Sequence, residues 1–185
     1  MTGAGDRADP NCHILLLTGP PGIGKTTVVR RVASRLDPAI IRGFTTEEIR
    51  AGGGRLGFCL ETFDGQSIVL AHVDHPSRSR VGKYGVDLAA FEAVVDELFG
   101  RPVPPALYLI DEIGRMECLS QRFVSAVSAV LDGGLPVVAT IAARGEGFIA
   151  RVKARRDAEL RQVTRANRDA LPGEILEWLR ARGAV

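Results

Sequence analysis

The chain has 185 residues, 45% of them hydrophobic and 25% charged, which suits one packed α/β domain and is short for two. A formal net charge of +2 is too small to signal a nucleic-acid partner, and no apolar run is long enough to span a bilayer. Cys12, Cys59 and Cys118 stand far apart with no CxxC pair, so neither a disulfide framework nor a zinc site is expected, and reduced thiols in a cytoplasmic protein are.

Residues 1–11 are small and polar, lack a basic-then-apolar leader pattern, and are expected to form a disordered tail ahead of a single domain over 12–185. The apolar run Ile14-Leu15-Leu16-Leu17 reads as a buried strand. A helix should start near Lys25, with Val28, Val29, Val32, Ala33 and Leu36 on one face. Residues 40–44 read as a second strand. Glycines 52–54 then mark a turn, 56–63 an extended segment, and Asp64-Gly65 a hairpin before 67–73, together an antiparallel β-meander. A polar loop is expected over 74–85, then a helix carrying Leu88, Phe91, Val94, Val95, Leu98 and Phe99 and ended by Gly100 and Pro102. Residues 106–110 and 136–141 read as buried strands separated by a helix with Phe123, Val127 and Leu131. A helix over 148–156, a short strand over 160–164 and a terminal helix over 172–182 complete the pattern. The alternation predicts an α/β fold: a mostly parallel sheet flanked by helices, with the meander inserted.

The segment GPPGIGKTT, 19–27, directly follows the first strand and satisfies G-x-x-x-x-G-K-[ST]. Glycines at Gly19, Gly22 and Gly24 let backbone N–H groups approach anionic oxygens where a side chain would clash. Pro20 and Pro21 stiffen the loop, Ile23 completes it, and the following helix points the positive end of its dipole at the same charge. A nucleoside triphosphate is the expected ligand of Gly19 to Thr27. Lys25 then reaches the β- and γ-phosphates, and the Thr26 hydroxyl ligates Mg²⁺.

Such a site needs a carboxylate at the carboxyl end of a neighbouring strand, and ALYLIDE (106–112) supplies Asp111 there to hold Mg²⁺ through water. Glu112 follows at once, suited to accept a proton from water as it attacks the γ-phosphate. The pair points to hydrolysis, although Asp111-Glu112-Ile113-Gly114 also satisfies the D-x-x-G of GTPases. Against that, no N-K-x-D guanine-reading tetrapeptide is present. Thr140 is either a sensor of the γ-phosphate or water, or a buried threonine with its hydroxyl satisfied. His72 and His75 have H-x-x-H spacing at a strand end, a weak metal signal. Most of the basic residues from Arg144 to Arg168 read as a solvated face, with one or two available to close over phosphates.

GPPGIGKTT, GFTTEEIR (43–50), RVGKYGVDL (80–88), LIDEIGRME (109–117) and NRDALP (167–172) together resemble the small P-loop nucleoside-triphosphatase family. Thermophile nucleoside-triphosphatases and the cancer-related nucleoside-triphosphatase are among its members. The resemblance runs from Ile14 to about Leu179. It implies a RecA-like core in which a strand separates the phosphate-loop strand from the strand of the metal acid. It also implies slow, Mg²⁺-dependent hydrolysis of several nucleoside triphosphates to diphosphate and phosphate. Two departures stand out. Arg115 replaces the lysine common after DEIG, and Ile141-Ala142-Ala143 follow Thr140 where relatives carry polar or histidine residues, so no function is carried over to that spot.

The catalytic set expected is therefore Lys25, Glu112 and Arg115, with Arg80 and Lys83 as further candidates for neutralising charge on the transferring phosphoryl group. Tyr84 and Asn167 suit either base contact or a structural role. No protein partner is legible. A nucleotide or small-molecule kinase and a nucleotide-gated switch are the rival readings, the first separated by dependence on an acceptor and the second by a partner surface that changes with nucleotide.

Overall fold

β1 (Ile14–Thr18) sends Ile14 and Leu16 into one core and Leu15 and Leu17 into another. A strand covered on both faces needs apolar residues at every position, which is why its sequence is unbroken rather than alternating. The computed structural model describes residues 12–185; the disorder expected for 1–11 lies outside the described residues. One face is covered by α1 (Lys25–Ala33) and α5 (Leu171–Arg180), the other by α2 (Leu88–Phe99), α3 (Gln121–Asp132) and α4 (Phe148–Lys153). Asp87 and Ser120 cap α2 and α3 by accepting from the amides of Ala90 and Phe123. Phe44, Phe91 and Phe123 meet with ring centroids 5.3–6.2 Å apart, tying the sheet to both helices.

The remaining strands are β2 (Ile41–Ala51), β3 (Gly54–Thr62), β4 (Ser67–His72), β5 (Arg80–Val81), β6 (Tyr84–Val86), β7 (Leu107–Ile113), β8 (Val137–Ile141) and β9 (Ala158–Gln162). All nine form one sheet in the order β5-β6-β4-β3-β2-β7-β8-β1-β9. The half from β2 to β9 is parallel, and the half from β3 to β5 is antiparallel. β8 separates β1 from β7, the separation that the family resemblance implies.

Several boundaries differ from expectation. β2 does not stop near Phe44: its first residues pair with β7, and from Phe44 it pairs with β3, so one strand joins the two halves. The expected loop over 74–85 holds the β5–β6 hairpin, turning at Gly82, and two or three residues per strand are too few to show a period. α4 stops at Lys153, and β9 begins at Ala158, earlier than expected. β7 runs through Asp111 and Glu112 to Ile113, so Asp111 lies inside the strand instead of ending it. The ladder to β8 slips between Ile110 and Ile113, and buried Ile113 anchors the continuation.

Gly43 is where β2 passes closest to β7: a Cβ there would lie 1.8 Å from the Leu109 carbonyl oxygen, at φ 142°. Gly43→Ala must push the two strands apart and is expected to cost at least about 2 kcal/mol, as overpacking of a close-packed interior does. Urea denaturation measures this, and an unchanged midpoint would mean that the strands yield freely.

Candidate active site

Gly24 caps α1 with φ 112°, a conformation open to glycine and strained for other residues, and among the described residues no side chain caps the helix. The first helical amide to find a carbonyl is that of Val28, on Gly24. Among the described residues, the N–H groups of Lys25, Thr26 and Thr27 ahead of it take no acceptor. Bare first-turn amides and the positive end of the helix dipole suit an anion at this position. Gly19 admits the close passage of the loop: a Cβ there would lie 2.9 Å from the Val163 carbonyl oxygen.

A cleft of about 890 Å³ opens over this loop, lined by Gly19, Pro20, Pro21, Gly22, Lys25 and Thr26. Ile23 turns away and packs on the core with Leu15 and Leu17, holding the loop down. Gly24 and Thr27 line a smaller hollow on the outer side with Arg168 and Asp169. Lys25 Nζ donates to the Gly19 carbonyl at 3.2 Å and lies 3.5 Å from Glu112 Oε2. The Lys25 side chain is only 10% exposed, so the ammonium is confined to the cleft.

Asp111 is fully buried and outside the cleft lining. Its Oδ1 accepts from Thr140 Oγ1 at 2.5 Å, and its Oδ2 from the Thr46 amide at 3.4 Å. Of the two readings of Thr140, the structure supports the buried, satisfied one: its hydroxyl is spent on orienting the aspartate. Glu112 points the other way, into the cleft. Burial raises the Glu112 pKa above the ordinary carboxylate value, the Lys25 charge opposes that rise, and Asp111 adds to it. A carboxylate held somewhat basic beside a cation is suited to take a proton from water.

Sequence reasoning missed Glu117. A Cβ on Gly114 would lie 2.7 Å from Glu117 Oε2 and 3.2 Å from Glu112 Oε1, so the two carboxyls close over one glycine. Burial pushes the Glu117 pKa up to about 8, with Glu112 and Asp111 contributing, against the favourable amides of Gly114 and Glu117 itself. At neutral pH Glu117 is therefore mostly neutral, which spares Glu112 a second negative neighbour. Because the folded-state pKa lies above the unfolded one, stability falls as pH rises from about 4.5 to about 8. Glu117→Gln keeps the neutral shape, so its stability relative to the parent is expected to improve across that window, by an amount on the order of a few kcal/mol. Urea midpoints at pH 5.5 and 8.5 measure the difference, and parallel curves for the two proteins would refute it.

Other placements separate the expected residues. Arg115 and Arg80 do not line the nucleotide-sized cleft but an adjoining groove, whereas Arg144 and Lys153 line both. Tyr84 stacks edge-on to Phe58, with ring centroids 5.2 Å apart, and Lys83 Nζ lies 5.4 Å from the Tyr84 ring centroid. Asn167 ties its loop, accepting from the Thr164 amide and donating to the Gln162 carbonyl. His72 accepts from the Asp74 amide. Among the described residues there is no group of 3 or more His, Cys, Asp or Glu able to hold a metal. Phe58 and Leu160, an apolar pair lining the cleft, also escaped the sequence reading.

The donors present suit Mg²⁺: a threonine hydroxyl and carboxylates are hard oxygen ligands, and this ion commonly takes few protein ligands and completes its shell with phosphates and water. No helix among the described residues is long and apolar enough to cross a membrane.

A glycine-bearing phosphate loop between β1 and α1, with a carboxylate pair on the next strand but one, defines an α/β fold of the P-loop type. The family model described as NTPase matches residues 14–176, and the chain belongs to that nucleoside-triphosphatase family. It is 41% identical over 167 residues to nucleoside-triphosphatase THEP1 of Thermotoga petrophila, covering 90% of this chain and 92% of the relative. It is 35% identical over 184 residues to the cancer-related nucleoside-triphosphatase homolog of Bos taurus, covering 90% and 96%. The crystal structure of THEP1 from Aquifex aeolicus superposes with a TM-score of 0.80 at 32% identity, covering 90% of this chain and 98% of that one. The solution structure of a human cancer-related nucleoside triphosphatase does so with a TM-score of 0.74 at 34% identity, covering 91% and 98%.

Proposed function

We propose that the protein hydrolyses nucleoside triphosphates to diphosphate and phosphate, with water as the acceptor and Mg²⁺ as the metal. The observation that carries this reading is that Lys25 Nζ and the Glu112 carboxylate face one cleft 3.5 Å apart, beside the bare amides of α1. A triphosphate tail entering there displaces Glu112 from Lys25 and takes the ammonium itself. The amides of Gly22 to Thr27 bind the phosphate oxygens and fix the tail along the axis of α1.

Glu112 then faces the terminal phosphate, where it orients a water and accepts its proton. The Thr26 hydroxyl would hold Mg²⁺ directly, and Asp111, buried and locked by Thr140, would hold it only through water. When bound, that ion supplies charge neutralisation on the phosphates. Arg144 and Lys153 add positive charge at the mouth of the cleft, and Lys153 also stabilises the ionised form of Glu112. Arg115 acts, on this reading, from the adjoining groove. The free thiols of Cys12, Cys59 and Cys118 suit a reducing, cytoplasmic setting for this one domain.

The test is phosphate release from ATP, GTP, CTP and UTP, with Mg²⁺ and with excess EDTA. Release from several nucleotides without any added acceptor is expected, falling to background in EDTA. Release that requires an organic acceptor, or that ignores EDTA, contradicts the proposal.

A further inference from the structure

Three stretches outside the phosphate loop converge on one cavity. The β5–β6 hairpin brings Arg80, the segment after β7 brings Arg115, and the stretch from β8 through α4 brings Arg144 and Lys153. These four cations line a groove of about 930 Å³ in which, among the described residues, Glu146 is the one acidic lining residue. Among the described residues none of the four makes an ion pair, although Arg30, Arg31, Arg50, Arg55, Arg101, Arg122, Arg155 and Arg161 all do. Arg80, Arg115 and Arg144 are exposed, so their guanidinium groups face solvent without a counter-charge.

Like charges gathered without partners repel one another and persist at the least cost where an anion neutralises them. Planar guanidinium forks match phosphate oxygens in pairs, which a scattered basic surface does not arrange. Among the described residues no aromatic lines the groove, so these offer no platform for a stacked base and do not suit single-stranded nucleic acid. Val81, Leu119 and Ile149 instead add apolar surface to the lining. The groove shares Ala143, Arg144 and Lys153 with the nucleotide cleft, so the two spaces adjoin.

We infer that this groove is a second binding site, for a phosphorylated small molecule other than the nucleoside triphosphate, seated beside the cleft with its phosphate on Arg80 and Arg115. The site goes beyond the hydrolytic reading and does not depend on hydrolysis taking place.

The experiment is calorimetric titration of inorganic pyrophosphate, at low ionic strength, into full-length protein already saturated with a non-hydrolysable ATP analogue. One further pyrophosphate per chain is expected, weakened about tenfold or more by Arg115→Ala and by Arg80→Ala, and unaffected by Arg35→Ala on the exposed stretch after α1. Arg115 makes no side-chain hydrogen bond among the described residues, whereas Arg80 donates to the Lys83 carbonyl, so a melting curve checks that each variant stays folded. Pyrophosphate binding that vanishes once the analogue saturates the protein, or that is equal in all three variants, overturns the proposal. If the analogue itself fails to bind, the nucleotide reading has failed instead, and the groove is titrated in Lys25→Ala protein against the same variants, with the same outcomes deciding.

Discussion

Glu112→Gln is expected to retain ATP while phosphate release falls about a hundred- to ten-thousand-fold, the range that a positioned acid–base group contributes. Glutamine keeps the size and hydrogen-bonding shape of the side chain, so the Lys25 neighbourhood stays filled and the cleft keeps its form. What is lost is the ability to accept a proton. At 1.36 kcal/mol per tenfold, the loss is roughly 3–5 kcal/mol of transition-state stabilisation. Affinity is expected to hold or improve, because a carboxylate beside a triphosphate repels it and an amide does not. Single-turnover phosphate release with equilibrium nucleotide binding separates the two quantities. Equal release in the variant and the parent would assign the proton to another group.

Lys25→Ala has the other large effect, and it differs in kind. Removing the ammonium deletes charge-assisted hydrogen bonds to the phosphates, so triphosphate affinity is expected to fall about 10- to 100-fold. Turnover should fall by a further factor of about 100 to 1,000, as when one preorganised donor to developing charge is removed. A second consequence follows from the carboxylate 3.5 Å away. Burial holds the Glu112 pKa up, and Lys25 is the largest influence holding it down. With Lys25 gone the value rises further, so the acidic limb of the residual pH–rate profile must move toward higher pH. A limb that stays in place, or moves to lower pH, would show that the two residues do not act on each other.

The shape of the loop over 19–27 was legible because it is set by backbone: glycine suits φ 112° at Gly24 and the close passage at Gly19, and the lysine and threonine follow at fixed spacing. The parallel core was legible for a related reason, since strands buried on both faces, such as β1, leave unbroken apolar runs. What stayed hidden depends on contacts between distant segments. Thr140 is a strand residue like many others until the fold sets it 2.5 Å from Asp111. Nothing in the sequence marks Glu117, and only the turn after β7 buries it near Glu112. The β5–β6 hairpin is too short for any period, yet it carries Arg80 toward Arg115, and the late arginine-rich stretch contributes Arg144 to the same place. Charge patterns along a chain give no hint of which cations share a cavity.

The account stands on one ligand being shared by Lys25 and Glu112. The most direct measurement is a crystal structure of the Glu112→Gln protein with ATP and Mg²⁺. The account predicts a terminal phosphate within about 3 Å of Lys25 Nζ and a water between that phosphate and the side chain of residue 112, the reach that proton transfer requires. A triphosphate lying with residue 112 turned away, and no water held between them, would contradict it.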